Sequence, residues 1–181
     1  LESWQKQILA QKISNEHVTR EMLQEAFEDL VIPERFLSRL GPAVNSGTAI
    51  LIYGPAGNGK TTVAEIVGEI FQNVVYVPFC IEADGQIIKV FDPTIHKRIT
   101  KAIPEGEEAT SLRRENIDKR WVPCYRPMVI TGGELTLEML DLKFNEDAKF
   151  YEAPLHIKAL NGTFLIDDFG RQKVAPEDIL N

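Results

Sequence analysis

The sequence predicts an α/β fold, a three-layer sandwich with a mainly parallel sheet, an inserted β-hairpin and N-terminal helices. Residues 49–53 form an apolar run between two glycines, which is typical of a central strand buried on both faces. A glycine-rich loop follows, then apolar residues spaced along one face of a helix, and then a second strand over residues 74–77. A strand, a helix and a strand within about thirty residues predict a βαβ unit with parallel strands. After Gly162, residues 163–166 form another apolar run and predict a further buried strand.

Composition and charge restrict the class of protein. The chain has 181 residues, of which 44% are hydrophobic and 26% are charged, so one compact globular domain is the default. A net charge of -7 argues against a broadly basic surface, and nucleic acid is not indicated as a partner. No apolar run approaches the roughly 20 residues of a membrane span. Cys80 and Cys124 lack metal-ligand spacing and predict buried free thiols in a reducing cytoplasm, with a disulfide as the alternative.

The first 45 residues are predicted to form an N-terminal helical segment, ahead of a core over residues 46–181. Apolar side chains recur at three- and four-residue steps between residues 22 and 30, and Thr19 is a suitable N-cap for that helix. A second helix over residues 34–40 is expected to end at Gly41-Pro42, a typical stop signal.

The middle of the chain interrupts the strand–helix alternation. Asp84-Gly85 lies between two strand-like runs and predicts a two-residue hairpin turn. Residues 92–119 are charged and irregular, and predict a surface excursion before an extended stretch over residues 121–130. Residues 131–134 match a capping box, which predicts a short helix through residue 142. The chain ends in a helical pattern over residues 176–181.

The glycine loop, residues 54–61, matches the pattern G-x-x-x-x-G-K-[ST] between a predicted strand and a predicted helix. Such a P-loop wraps a polyphosphate and directs backbone N–H groups at its oxygens, helped by the positive end of the helix dipole. Lys60 is expected to reach the β- and γ-phosphates, Thr61 to ligate Mg²⁺, and Thr62 to approach the α-phosphate. The predicted nucleotide-binding residues are Gly54, Pro55, Ala56, Gly57, Asn58, Gly59, Lys60, Thr61 and Thr62. The alternative is a glycine-rich turn that matches by chance.

Two acidic residues follow the last predicted strand. Asp167 would stand at the carboxyl end of that strand, where the glycine loop also lies, and can hold the Mg²⁺ shell. Asp168 can orient and polarise the attacking water. The predicted catalytic residues are therefore Lys60 and Asp168, and the predicted metal site consists of Thr61 and Asp167. An acidic turn after a core strand is the alternative for the aspartate pair.

The two motifs together resemble those of the AAA+ ATPases. The run over residues 161–170, NGTFLIDDFG, is similar to the Walker B segment of enhancer-binding transcription activators and MoxR-type ATPases. Residues 132–137 and 150–154 are similar to a bacterial group of predicted chaperone-like ATPases. The resemblance implies ATP and Mg²⁺ as cofactors, a homo-oligomeric ring, expected to be a hexamer in the full-length form, and hydrolysis coupled to remodelling of a macromolecular partner.

The chain departs from the AAA+ pattern in two respects. The family usually has Glu where this chain has Asp168, which is one methylene shorter, so slow hydrolysis is expected. The family also places a sensor strand, an arginine finger and a helical lid after the Walker B motif, and nothing after Asn181 can supply them. We therefore expect a core truncated after Walker B, with doubtful activity as a fragment.

Two other functions fit the glycine loop. A P-loop kinase would transfer the γ-phosphate to a small molecule, although adjacent acids after a strand suit water better than such an acceptor. A nucleotide-binding switch or scaffold would scarcely hydrolyse ATP. Among further candidates, Arg113-Arg114 could reach a neighbouring subunit's phosphate, and Arg171 could sense the nucleotide. Surface or packing roles are expected for His17, His96 and His156.

Overall fold

The computed structural model describes residues 1–99 and 118–180. The helices are α1 Glu2–Ala10, α2 Arg20–Ala26, α3 Glu34–Asn45, α4 Lys60–Glu69, α5 Leu155–Lys158 and α6 Pro176–Leu180, with 3-10 turns at Ile13–Asn15 and Leu137–Leu140. The strands are β1 Val75–Pro78, β2 Cys80–Ala83, β3 Gln86–Lys89, β4 Trp121–Cys124, β5 Met128–Thr131, β6 Lys143–Asn145, β7 Phe150–Glu152 and β8 Thr163–Ile166.

The prediction of a three-layer sandwich with a mainly parallel sheet is wrong. In the described part of the chain the strands form three small sheets: β1-β4, β2-β3-β7-β6 and β5-β8. The pairs β1-β4, β2-β3 and β6-β7 are antiparallel, whereas β3-β7 and β5-β8 are parallel. Antiparallel pairing prevails because β1 pairs with β4, which runs back along it with Val75 opposite Cys124, instead of joining the strand expected before the glycine loop.

That expected first strand is absent. Residues 49–53 have no regular secondary structure, and none of their backbone groups forms a hydrogen bond with another described residue. Leu51 is 73% exposed and Tyr53 is 87% exposed, so the apolar run is not a buried central strand. Only Ile52 packs against the core formed by the helices. The predicted βαβ unit is therefore wrong as well, although its helix, α4, and its second strand, β1, both form.

The N-terminal helices pack on α4 and form the first of two apolar cores. This core contains Val18, Leu23, Phe27, Leu40, Val44, Val63, Ile70 and Phe71. Thr19 caps α2 as predicted, because its Oγ1 accepts a hydrogen bond from Met22 N at 3.3 Å. The predicted end of the second helix is wrong, since α3 continues through Gly41-Pro42 to Asn45. Gly41 has no Cβ to clash with the proline ring. A Cβ at this position would lie only 3.3 Å from Leu23 Cδ1, so the glycine also allows α2 and α3 to pack closely.

The second core lies between the β1-β4 pair and the sheet that contains the hairpin. Its buried members are Val75, Val77, Val90, Val122, Cys124 and Ala153. The hairpin at Asp84-Gly85 is confirmed: β2 and β3 are antiparallel, and both turn residues have positive φ, 51° and 76°. This combination is typical of a type I′ turn, which matches the twist of the two strands.

A buried polar cluster joins this second core to α5. His96 is 2% exposed, and its Nε2 donates to the Lys158 carbonyl at 2.9 Å while its Nδ1 accepts from Asp92 N at 2.9 Å. Burial lowers the pKa of His96, and the nearby backbone of Lys158 and Asp92 and the Asp92 charge, which favour the protonated ring, oppose the shift. The Lys158 ammonium lies 2.8 Å from Asp92 Oδ2 and 3.5 Å from Glu152 Oε2. The packing role expected for His96 is thus confirmed.

Two further predictions need correction. Residues 131–134 do not form a capping box, because the Glu134 carboxylate accepts from Gly132 N at 2.8 Å. The predicted helix through residue 142 is replaced, in the described structure, by the 3-10 turn Leu137–Leu140.

Cys124 is buried as predicted, whereas Cys80 is exposed, and both are free thiols. Burial raises the pKa of Cys124 to about 11, although the nearby charge of Arg98 opposes the shift. Arg113-Arg114 lies outside the described residues. Within the described ranges, no helix is both long and apolar enough to cross a bilayer.

Candidate functional site

The glycine loop has the backbone conformation that its glycines permit. Gly57 and Gly59 have φ of 80° and 67°, in the left-handed region, and Gly54 has φ of 154°. A Cβ placed on any of these three glycines would meet no atom within 4 Å. Steric crowding therefore does not explain why glycine occupies these positions. Their positive φ explains it, and so does the open space beside the backbone. A bare loop of this kind is what close approach to a polyphosphate requires.

The lysine of the loop begins α4 and turns back onto the loop. Helix α4 spans Lys60–Glu69, with Gly59 as its N-cap. Lys60 Nζ donates to the Pro55 carbonyl at 2.9 Å, so the ammonium lies inside the curve of the loop. The first N–H groups of α4 have no intrahelical acceptors and carry the positive end of the helix dipole. An ammonium and a helix N-terminus thus meet at the place where the loop leaves its backbone uncovered.

The two sequence motifs meet through one hydrogen bond. Thr61 Oγ1 donates to Asp167 Oδ2 at 2.9 Å, across a separation of 106 residues. Both side chains are half-buried. The predicted pairing of Thr61 with Asp167 at one position is therefore present in the structure, even though the sheet predicted to bring them together is not.

Strand β8 carries Asp167 to this position. Its parallel ladder with β5 runs from Thr163 opposite Met128 to Ile166 opposite Thr131, and Asp167 N continues it by donating to the Thr131 carbonyl at 2.7 Å. Gly162 comes immediately before the ladder, and a Cβ on it would overlap the Pro127 carbonyl. Gly162 therefore allows a close backbone approach that sets the register of β8, and hence the position of Asp167.

The N-terminal helical region also fixes the start of β8. The buried guanidinium of Arg126 binds Glu16 through Nε at 2.7 Å and donates to the carbonyls of Gln11 and Asn161. The Gln11 side chain donates to Asn161 Oδ1 at 3.0 Å and also pairs with the backbone of Tyr76. These contacts join the segment before α2 to the residue that precedes Gly162.

Asp168 has a different side-chain partner from Asp167. It has a left-handed φ of 50°, and its carboxylate Oδ2 lies 3.5 Å from Arg171 Nη1. Both side chains are largely exposed, at 64% and 79%. Among the described residues, no hydrogen bond joins Asp168 to the glycine loop. The structure thus brings Lys60, Thr61 and Asp167 to one site and leaves Asp168 beside it, paired with Arg171.

The oxygen atoms of the site suit a small divalent cation. Thr61 and Asp167 offer a hydroxyl and a carboxylate, which are hard ligands of the kind that Mg²⁺ prefers. The described residues contain no group of three or more His, Cys, Asp or Glu side chains that could hold a metal ion by themselves. Mg²⁺ is usually held by one or two protein oxygens together with phosphate oxygens and water.

Sequence reasoning missed two residues that hold the elements carrying the site. Gln172 bonds to the backbone of the turn that contains Asp168, and Arg126 anchors the start of β8. Neither residue belongs to a spaced motif. A lone arginine before a predicted strand and a lone glutamine after it carry no pattern that could have identified them.

Comparison with known proteins adds no family. No family model matches the chain, and no curated protein matches it.

Proposed function

We propose that this chain binds Mg-ATP at the glycine loop and hydrolyses it. The observation that carries the proposal is the bond between Thr61 and Asp167, because it joins a phosphate-binding loop to a carboxylate far away in sequence. Chance matches to either motif alone would not place these two side chains in contact. The proposal rests on the loop, on α4 and on the end of β8, and does not require a mainly parallel sheet.

The residues of the site have separate roles in this proposal. The backbone N–H groups of the glycine loop and of the first turn of α4 bind the phosphate oxygens. Lys60 exchanges the Pro55 carbonyl, now 2.9 Å from its Nζ, for the β- and γ-phosphates. Thr61 and Asp167 would hold Mg²⁺, which would neutralise charge on the phosphates. Their mutual hydrogen bond would be given up when the ion binds.

Asp168 would orient the attacking water once its carboxylate leaves Arg171. The pair is exposed, and exposed ion pairs contribute only about 0–1 kcal/mol, so leaving it costs little. Asp168 has a shorter side chain than glutamate and lies beside the site, which supports slow hydrolysis of ATP. A nucleotide-binding switch that scarcely hydrolyses is therefore the second candidate, favoured by the observed pairing of Asp168 with Arg171.

The resemblance of both motifs to the AAA+ ATPases supports a more specific proposal. We infer that hydrolysis is coupled to remodelling of a macromolecular partner within a homo-oligomeric ring. The support is the similarity of residues 54–61 and 161–170 to the family's two nucleotide-binding motifs. Size measurement with and without Mg-ATP checks it: a shift to a ring-sized species with ATP is expected, and a monomer under both conditions contradicts it.

Titration with a fluorescent ATP analogue tests nucleotide binding. Lys60→Ala is expected to weaken binding at least tenfold, about 1.4 kcal/mol, because it removes the ammonium that lies within the loop. Lys6→Ala is the matched control, since Lys6 is an exposed lysine on α1. Unchanged affinity in a folded Lys60→Ala protein would rule out the glycine loop as the nucleotide site.

Product analysis separates hydrolysis from its alternatives. Radiolabelled ATP should give free phosphate, detectable over hours even when turnover is slow. Label that appears only in a phosphorylated small molecule would indicate a kinase. ATP binding without any release of phosphate would indicate a switch or scaffold.

A further inference from the structure

We propose that Gln172 is a positioning residue: it holds the backbone of the acidic turn, residues 167–172, so that the Asp168 carboxylate can reach the attacking water once it leaves Arg171. This inference rests on the proposed function, because it concerns the acids that would act on Mg-ATP. The turn begins where the β5-β8 ladder ends, at the bond from Asp167 N to the Thr131 carbonyl. Beyond that bond, β5 no longer restrains the chain, so the direction of Asp168 depends on contacts within the turn.

The backbone of Asp168 needs such contacts. Its φ of 50° lies in the left-handed region, where a residue with a Cβ is less stable by roughly 1–2 kcal/mol than in a right-handed conformation. Gly170 also has a positive φ, 93°, and Arg171 N donates to the Asp168 carbonyl at 2.9 Å. One backbone bond closes the turn, Asp167 Oδ1 accepts from Asp168 N at 2.9 Å, and the side chain of Gln172 supplies three further bonds.

The amide of Gln172 binds three backbone groups of the turn. Its Nε2 donates to the Asp167 carbonyl at 2.8 Å and to the Asp168 carbonyl at 3.2 Å. Its Oε1 accepts from Gly170 N at 2.7 Å. Both peptide units that set the direction of the Asp168 side chain are therefore held by one half-buried side chain.

Glutamine is the residue that this arrangement requires. A primary amide carries two N–H donors and a carbonyl acceptor, and all three contacts use them in their proper sense. Glutamate has the same length, but it would replace the donors with a charged oxygen facing two carbonyls. Asparagine is one methylene shorter and would not span the same distance. Replacement of the amide should release Asp168 from its direction and leave the glycine loop, on a different element, unchanged.

The deciding experiment compares Gln172→Glu with Gln24→Glu, which makes the same chemical change at an exposed position on α2. Single-turnover release of radiolabelled phosphate at saturating Mg-ATP is measured together with the dissociation constant of a fluorescent ATP analogue. We expect Gln172→Glu to lower the rate at least tenfold and to change the dissociation constant less than threefold. The Arg171 amide should also exchange its hydrogen faster, because the turn that protects it is looser. Gln24→Glu should match the parent chain in all three measurements.

The possible failures are distinct. Equal rates in an active parent and in Gln172→Glu overturn the role of Gln172 and leave the proposed function intact. A rate loss with a parallel loss of ATP affinity also overturns it, because that result indicates general damage and not the positioning of Asp168. A parent chain that binds no ATP contradicts the proposed function itself, and the role of Gln172 fails with it.

Discussion

Asp167 and Asp168 are neighbours in the chain, but their carboxylates face different partners. Asp167 Oδ2 accepts from Thr61 in the glycine loop, and its Oδ1 accepts from Asp168 N at 2.9 Å. Asp168 Oδ2 faces Arg171 at the surface. Adjacent residues of one chemical type thus have separate environments, since one ends the strand and the other begins the turn.

This difference predicts different effects of two matched substitutions. Asp167→Asn should chiefly impair Mg²⁺-dependent ATP binding, because it removes a charged oxygen from the metal site. Asp168→Asn should leave Mg-ATP binding intact and lower the hydrolysis rate by about 10²-fold or more, because an amide cannot polarise the attacking water. Affinity measured with and without Mg²⁺, and steady-state rates, test both expectations.

The exposed Asp29, in the turn that follows α2, supplies the control substitution Asp29→Asn. Hydrolysis by Asp168→Asn at the parental rate would mean that the second acid does not orient the water. Loss of ATP binding without any dependence on Mg²⁺ in Asp167→Asn would argue against the metal role of Asp167.

Among single residues, the sequence predicts those that belong to a motif with fixed spacing. The glycine loop and Asp167 were predicted because phosphate binding imposes fixed spacing and a strand places its last residue at a known edge. Gln172 was not, because its three bonds go to backbone groups, which every residue has. A side chain that binds the backbone within its own turn leaves no second residue type in the sequence to indicate it.

Residues 49–53 have the composition of a buried strand but do not form one. The run is apolar and bounded by glycines, as a buried strand would be, yet Leu51 and Tyr53 are exposed. Whether an apolar run is buried depends on a partner strand, and the local sequence says nothing of that partner. In the described structure β8 pairs with β5 alone, and neither pairs with this run.

Because this run is exposed, we expect it to tolerate substitution of an apolar residue by a polar one. Leu51→Ser should change the free energy of unfolding by less than about 0.5 kcal/mol, because exposed positions rarely contribute more. Leu40→Ser, at a 5% exposed position in the first core, should cost about 2–5 kcal/mol by loss of apolar burial and creation of a cavity. Urea denaturation of both variants and of the parent gives the two differences. A cost above about 2 kcal/mol for Leu51→Ser would show that the run is buried in solution, as the sequence predicted.

Elements whose contacts are local were predicted better than pairings. Helix α4, the hairpin at Asp84-Gly85 and strand β8 all form where the sequence indicates. Their signals lie within a few residues: an apolar stripe, a turn that requires positive φ, and a short apolar run. The extension of α3 past Gly41-Pro42 was missed because its cause is tertiary, namely the burial of Leu40 and Val44 against the other helices.

In the whole molecule, the two apolar cores are joined by polar side chains that the sequence did not single out. Arg126 and Gln11 connect the N-terminal region to the start of β8. On the other side, Asp92, Lys158 and Glu152 form a charged cluster beside His96. Sheet topology and these connections both arise from contacts between residues that are distant in sequence. The predicted fold class was therefore wrong, although the glycine loop and Asp167 do lie together as expected.

The charged cluster predicts that stability depends on pH in the acid range. Burial opposes ionisation of Asp92, but hydrogen bonds from Lys158 and Thr94 outweigh it, and they hold the pKa of Asp92 well below its ordinary value. A carboxyl group whose pKa is lowered by folding stabilises the native state above its unfolded pKa of about 3.9. That contribution is lost as pH falls from about 5 toward the lowered pKa.

Asp92→Asn should therefore destabilise the protein at pH 7 by about 1–3 kcal/mol, because the buried ammonium of Lys158 loses its closest charged partner. The difference between this variant and the parent should shrink as the pH falls below 4, where the parent begins to lose the same interaction. Thermal denaturation of both proteins between pH 7 and pH 2 measures it, with Asp29→Asn as an exposed control. A stability difference that stays constant across this range would show that Asp92 contributes through packing and not through its charge.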